Sequence, residues 1–363
     1  MAQEEIPSDY AEPQAQADNA LQLDFGYQPV GNPNPIFCRV RGRLLTMHPW
    51  NFQVFKREFG YLLTFSFAFG ISGLFATTAT TFVYPLQAGG PSSVIWCWLL
   101  SGIGCMCMAC SVAELVSVYP TSAGVYFTVS RLAPQKWVAP ISWAAGWTNL
   151  LGQIAGVASG QYGAAQLLLA AVSMGLDFNW QASTGVTVGV MAALTVVTGA
   201  VNSLPTGWIK KMTKTYAIFH MLVLFSCAIA LLIKSEPKHD SGYVFGGVES
   251  HSGWTPLGFS FLFGSNNLKL KPHGQISVAM GVTFGLGFLF NIVLCYCMGN
   301  AETLLASPIQ QPVAQIFYNS LGKSGGLFYT LMAFIILQFV AFTATHALTR
   351  LLSHLAAITY SSK

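Results

Sequence analysis

Between residues 59 and 349 the chain carries seven nearly charge-free apolar stretches, at 59–83, 94–118, 138–174, 186–202, 213–233, 275–298 and 325–349. A helix rises about 1.5 Å per residue, so about 20 residues cross the roughly 30 Å hydrocarbon layer of a bilayer. In lipid every backbone N–H and C=O must find a partner inside its own segment, which leaves helices as the form for single apolar stretches. The third stretch is overlong for one crossing and is expected to tilt or project past the bilayer. Charged residues make up 8% of the chain against 53% hydrophobic, where a soluble domain carries about 25% charge. The expected fold class is an all-α polytopic membrane protein.

Residues 1–35 contain Glu4, Glu5, Asp9, Glu12, Asp18 and Asp24 with scattered prolines and no Lys or Arg, the composition of a disordered tail. No apolar core of a cleavable signal is visible there. Arg39, Arg41, Arg43, Lys56 and Arg57 form a basic collar before the first stretch. Lys and Arg favour the cytoplasmic side. Arg131 and Lys136 follow the second stretch, and Lys210, Lys211 and Lys214 precede the fifth, whereas 84–93 has no charge. This alternation puts the N-terminus in the cytoplasm. The expected domains are a tail and collar at 1–57, a membrane domain at 58–350 and a divergent tail at 351–363.

That parity holds past residue 253 only if the short apolar run 254–264 also crosses. About 11 residues rise roughly 16 Å as a helix, half of a span. The polar stretch "SNNLKLKPHG" follows it.

In the first stretch, "AFGISGLFATTATTF" places Gly70, Ser72 and Gly73 within four positions. Glycine weakens a helix by about 1 kcal/mol relative to Ala, so the site suits a helix that opens. Close packing of small residues is the alternative. Glu114 is the acidic residue inside an apolar stretch, a candidate for coupling or gating if it is not an interfacial anchor. His220 is a second coupling candidate, because imidazole titrates near neutrality, or else a packed hydrogen-bonder. Cys105, Cys107 and Cys110 in "CMCMAC" cannot aim three sulfurs at one point from one helix and read as apolar fillers, as do Cys295 and Cys297; no metal is implied. Neither a phosphate-binding glycine loop, a serine elbow nor an HExxH pair is present, so no enzyme and no cofactor is expected. A net charge of +4, spread over short loops, gives no footprint for nucleic acid.

Longer motifs carry a resemblance. "ATTFVYPLQAGGPSSVIWCWLLSG", "AELVSVYPTSAGVYFTVSRLAP", "GWTNLLGQIAGVASGQYGAAQLL", "GWTPLGFSFLFG" and "QPVAQIFYNSLGKSGG" are similar to the amino acid–polyamine–organocation transporter superfamily, most of all its fungal amino acid, choline and GABA permeases. The likeness covers most of 58–350; Ala123 stands where the family often has Gly. The resemblance implies a leucine-transporter-like fold of two inverted five-helix repeats, with substrate at the broken middles of helices one and six. Mapped onto this chain, Gly70, Ile71, Ser72 and Gly73 form the helix-one break, and Phe259, Ser260 and Phe261 belong to the helix-six half. Asn149 and Gln153, four apart on the third stretch, share a face toward the pocket or bond between helices. Half-helix N-termini attract anionic groups, and Phe259 and Phe261 suit a quaternary ammonium.

Two departures qualify it. "SNNLKLKPHG" replaces the continuation of helix six, and "LLSHLAAITYSSK" does not continue as the family does, so the second repeat reads as incomplete. Two functions compete. One is a secondary transporter of amino acids or small amines, by alternating access with a proton as coupling ion, in the plasma or vacuolar membrane. The other is a truncated, non-transporting partner or decoy of a full-length permease, or an inaccurate gene model. A seven-helix receptor fits the segment count but not a cytoplasmic N-terminus.

Overall fold

The computed structural model describes residues 37–40, 43–46, 66, 69–118, 129–130, 132–204, 206–253 and 276–361. The chain divides into two compact units, one of Tyr61–Glu114 with Asn149–Leu352 and one of Met1–Gly60, Leu115–Thr148 and Ser353–Lys363. In the second unit, β1 (Phe37–Val40) pairs antiparallel with β2 (Arg43–Thr46), Phe37 opposite Thr46. Everything else assigned is helical.

The first apolar stretch is interrupted. Residues 69–72 are helical, Gly73 turns left-handed at φ 50°, and α1 (Leu74–Thr81) begins anew. Phe82 keeps right-handed helical angles, so α2 (Val83–Val118) continues the same path as far as Gly89 and Gly90. There the chain turns, Gly90 at φ 70°, and Pro91 opens the next helical run. Pro suits a first helical turn because its missing N–H would have had no partner there. The uncharged connection expected at 84–93 is thus narrowed to two glycines, since an apolar helix can continue until the backbone itself permits a reversal.

α3 (Val138–Gly175) follows the 3-10 turn Gln135–Trp137. Its 38 residues would extend about 57 Å as a helix, well beyond one hydrocarbon layer. α4 (Thr184–Asn202) is capped by Ser183, whose Oγ accepts from the Val186 N–H at 3.4 Å. α5 (Thr206–Lys234) buries Tyr216, His220, Val223, Leu224, Cys227 and Leu231, a stripe at the spacing of one helix face. The short helices α6 (Ser241–Gly246) and α8 (Ala301–Leu305) are capped by Asp240 and Asn300, flanking α7 (Ile276–Cys297). α9 (Pro312–Ser361) is broken at Gly322, φ 74°.

Among the described residues, four helices are long and apolar enough to cross a membrane, Val83–Leu115, Thr184–Asn202, Thr215–Lys234 and Pro312–Thr349, and Gly281–Cys297 is a shorter apolar helix. α3 has the length but carries Asn149, Gln153, Gln161 and Gln166 in its apolar sequence. Residues 254–264 lie outside the described residues.

The core joins helix one to α5, α7 and α9 through Leu74, Phe75, Tyr216, Phe290 and Phe317. Phe75 stacks on Phe317, centroids 5.8 Å apart, and meets Phe290 at 5.5 Å. Small residues set the helix approaches. A Cβ on Gly287 would lie 2.2 Å from the Trp98 ring, and one on Gly102 1.9 Å from Phe284. Gly287→Val therefore forces α2 and α7 apart. It should destabilise the protein by about 1–3 kcal/mol, the usual cost of overpacking, read as a lower melting temperature in detergent.

Over one end of this core the segment between α5 and α7 is tied down by main-chain bonds. Its His251 N–H donates to Gln87 O at 2.9 Å and its Glu249 N–H to Gly89 O at 3.4 Å. Trp96 Nε1 and Ser92 Oγ both donate to Phe245 O. The His239 N–H donates to Tyr296 O at 3.1 Å, and its ring Nε2 lies 2.8 Å from Gly299 O.

Candidate functional site

The interruption in helix one is built from its own side chains. Ser72 Oγ donates to Phe69 O at 2.7 Å, and Thr77 Oγ1 donates back to Ser72 O at 2.9 Å. These hydroxyls occupy carbonyls near the break, as back-bonding Ser and Thr do. Gly73 as N-cap offers α1 no side-chain acceptor, while the first N–H groups of any helix lack partners within it. The Phe75 N–H finds its acceptor on another helix, His220 Nε2, at 3.1 Å.

His220 is fully buried. Its ring packs against Phe69, centroids 4.8 Å apart, and against Tyr216 at 5.7 Å. Tyr216 in turn stacks on Phe339 at 4.6 Å and donates its hydroxyl to Ile336 O at 3.4 Å. A backbone N–H can only donate, so Nε2 presents its lone pair and the proton of the neutral ring sits on Nδ1. Nδ1 has no hydrogen-bond partner among the described residues.

The site is close-packed around its glycines. A Cβ on Gly70 would approach the Tyr216 ring to 3.2 Å, and one on Gly73 would lie 2.1 Å from Val340 Cγ2. Ser72 Oγ lies 3.4 Å from Thr283 Oγ1 of α7. The start of α1 thus meets α5, α7 and α9 at one place, with a helix N-terminus worth roughly half a positive charge pointing at it.

The other residues singled out from the sequence are placed differently. Ile71 and Ser72 are half-buried on the turn before the break. Asn149 and Gln153 are half-buried on α3, two to four turns before the buried run that starts at Gln161. Glu114 is exposed near the end of α2. Phe259, Ser260 and Phe261 lie outside the described residues. Cys105 is buried while Cys107 and Cys110 are exposed, so the three sulfurs do not converge. Cys295 Sγ turns to Pro91 O and Cys297 Sγ to Leu231 O, opposite sides of α7.

A polar feature that sequence reasoning missed is a closed ring of three side chains on α3, α4 and α9. Gln161 Nε2 donates to Thr198 Oγ1 at 2.8 Å, Thr198 Oγ1 to Gln338 Oε1 at 3.4 Å, and Gln338 Nε2 to Gln161 Oε1 at 3.3 Å. Each member donates once and accepts once. One turn along α4, Asn202 Nδ2 donates to Phe342 O at 3.3 Å. The available signal was the amides themselves, uncharged polar groups inside apolar stretches. A double-mutant cycle between Gln161→Leu and Gln338→Leu should return a coupling of about 0.6–1.7 kcal/mol, the range of interhelical bonds in membranes.

The sequence model of a family described as "Amino acid permease" matches residues 59–267. An uncharacterised amino-acid permease of Schizosaccharomyces pombe is 49% identical over 319 residues, 82% of this chain and 59% of the relative. Amino-acid permease 2 of Neurospora crassa is 40% identical over 318 residues, again 82% of this chain and 59% of the relative. The GABA-specific permease of Saccharomyces cerevisiae is 30% identical over 310 residues, covering 78% of this chain and 54% of that protein. The chain therefore spans less than two thirds of the length of each of these relatives.

Proposed function

Because this chain belongs to the amino acid permease family, an integral-membrane family of transporters and not of enzymes, we propose that it carries amino acids or related small amines across a membrane by alternating access. The observation that bears this reading is the interruption of helix one at Gly73, where α1 starts anew with Gly73 as N-cap and no side-chain cap. Such an opening exposes backbone donors in the only place a membrane protein tolerates them, where protein or ligand can satisfy them. A carboxylate on the substrate suits the N-terminus of α1.

In this reading Gly70, Ile71, Ser72 and Gly73 bind substrate through their backbone, with Asn149, Gln153, Phe259, Ser260 and Phe261 completing the pocket in the manner of an inverted-repeat fold. A proton drives uptake, with His220 and Glu114 as its carriers. The N-terminus is cytoplasmic, in the plasma membrane or the vacuolar membrane. The substrate class extends from amino acids to GABA and choline.

Uptake of labelled GABA, choline and a panel of amino acids in a transporter-deficient host tests the proposal. Accumulation that collapses with a protonophore is the expected result. Absence of uptake by well-expressed protein overturns it and favours the non-transporting partner or decoy. Acceptor sites for N-glycosylation engineered at 240–250 and 266–272 should be modified in the first segment alone; modification of both overturns the crossing by 254–264.

A further inference from the structure

We propose that Cys107 and Cys110 are a modification site, each thiol taking an S-linked long-chain fatty acyl group at the cytoplasmic edge of the bilayer. The site rests on the orientation above, with the N-terminus inside, and on no reading of the substrate.

Beyond Pro91, α2 turns one face outward. Trp96, Leu100, Ile103, Cys107, Cys110 and Glu114 follow one another at steps of three or four residues and are all exposed, one continuous stripe along a helix. Ile95, Cys97, Cys105 and Ala109, on the same helix, are buried. A cysteine that fills a gap between helices is buried, as Cys105 is. Cys107 and Cys110 have no such gap to fill, because their side of the helix faces outward.

The two ends of the stripe fix its depth. Trp96 is an exposed indole whose Nε1–H donates to Phe245 O at 3.0 Å, the kind of amphipathic ring that gathers at a membrane–water boundary. An exposed carboxylate does not rest in hydrocarbon, so Glu114 marks the opposite boundary. The helix between them rises about 27 Å, close to the roughly 30 Å of a hydrocarbon layer. Cys110 then lies about 6 Å and Cys107 about 10 Å inside the Glu114 boundary, which the orientation makes the cytoplasmic one. Juxtamembrane thiols are the acceptors of S-acylation. Gly104, one turn toward the bilayer centre, has nothing within 4 Å of a Cβ built there, and leaves a notch beside the exposed Ile103 and Met108 along which a chain bonded at Cys107 can lie. The co-reactant is a long-chain acyl-coenzyme A. The cysteine sulfur attacks its thioester carbonyl, a new C–S bond replaces the old one, and coenzyme A leaves with the proton that the thiol gave up.

The full-length chain is expressed in a fungal host fed an alkyne analogue of palmitate, purified in detergent and coupled to a fluorescent azide. It should carry label that neutral hydroxylamine removes, since hydroxylamine cleaves a thioester and spares an amide. The double variant Cys107→Ala and Cys110→Ala should lose the label, while Cys105→Ala keeps it. Cys38, beside Arg39 and Arg41, is the competing acceptor, and Cys38→Ala should keep the label as well. No label on the unaltered chain, label retained in the double variant, or label lost in Cys38→Ala each overturns the proposal. Mass spectrometry of the peptide spanning 107–110 from the unaltered chain needs no variant and stands even if the double variant fails to fold: an acyl adduct there supports the site, and two unmodified thiols overturn it. Orientation is read separately from the glycosylation acceptors at 240–250. Acceptors left bare overturn the orientation and the proposal with it, whereas glycosylated acceptors with unmodified thiols overturn the proposal alone.

Discussion

Gly73→Ala is expected to abolish the transport proposed for this chain and to lower the stability of the purified protein by about 2–5 kcal/mol. Two terms add. Gly73 sits at φ 50° and ψ 40°, a conformation that costs an L-residue roughly 1–2 kcal/mol. Its Cβ would also lie 2.1 Å from Val340 Cγ2, and overpacking of this kind costs about 1–3 kcal/mol. The strain can be relieved by returning residue 73 to a right-handed helix, which closes the break and removes the opening at the start of α1. Thermal unfolding in detergent and uptake in cells should both fail. The control is Gly152→Ala, a helical position on α3 with nothing within 4 Å of a new Cβ. There the exchange should be neutral or gain up to about 1 kcal/mol from helix propensity, with transport retained. Equal damage at both positions would remove the break from the argument.

His220→Leu is expected to be almost as damaging, for a different reason. It fills much of the same volume but leaves the Phe75 N–H with no acceptor in a buried setting. An unsatisfied buried donor costs about 1–3 kcal/mol, and loss of ring contacts with Phe69 and Tyr216 adds to it. His220→Gln restores an acceptor and should recover most of the stability. The ordering of melting temperatures, unaltered chain above His220→Gln above His220→Leu, checks the bond directly. If His220→Leu is the more stable variant, the Phe75–His220 hydrogen bond contributes nothing to the fold.

How far these features could be read from the sequence depends on the range of the interaction behind them. Three small residues inside an apolar stretch marked the place in helix one, but locally they fit close packing as well as an opening, and the break itself was expected from the family resemblance. His220 could be singled out as a titratable group but not given a partner. Its bond joins residues 145 apart in sequence, and nothing near Phe75 announces it. The Gln161–Thr198–Gln338 ring was missed because no member carries charge, and each alone costs little to insert. The turn at Gly89 and Gly90 was placed only within a ten-residue window, since hydropathy does not change where the backbone reverses. Conversely, the N-caps Ser183, Asp240 and Asn300 sit where local chemistry alone would put them. Asn149 and Gln153 share a face by periodicity, but a shared face does not say which neighbour it meets.

α4 has 19 residues and one of them, Thr198, is buried. Across generations such a helix is nearly free to drift: any apolar side chain that lipid accepts can replace another on its outer face. A library randomising 184–202 within the apolar alphabet should therefore keep most of its members and lose those altered at Thr198 or Asn202. Among the described residues the helix is held to the rest of the protein by these two polar positions and by Leu194, which packs against the core, and its outward letters would record little more than the oiliness of the membrane around it.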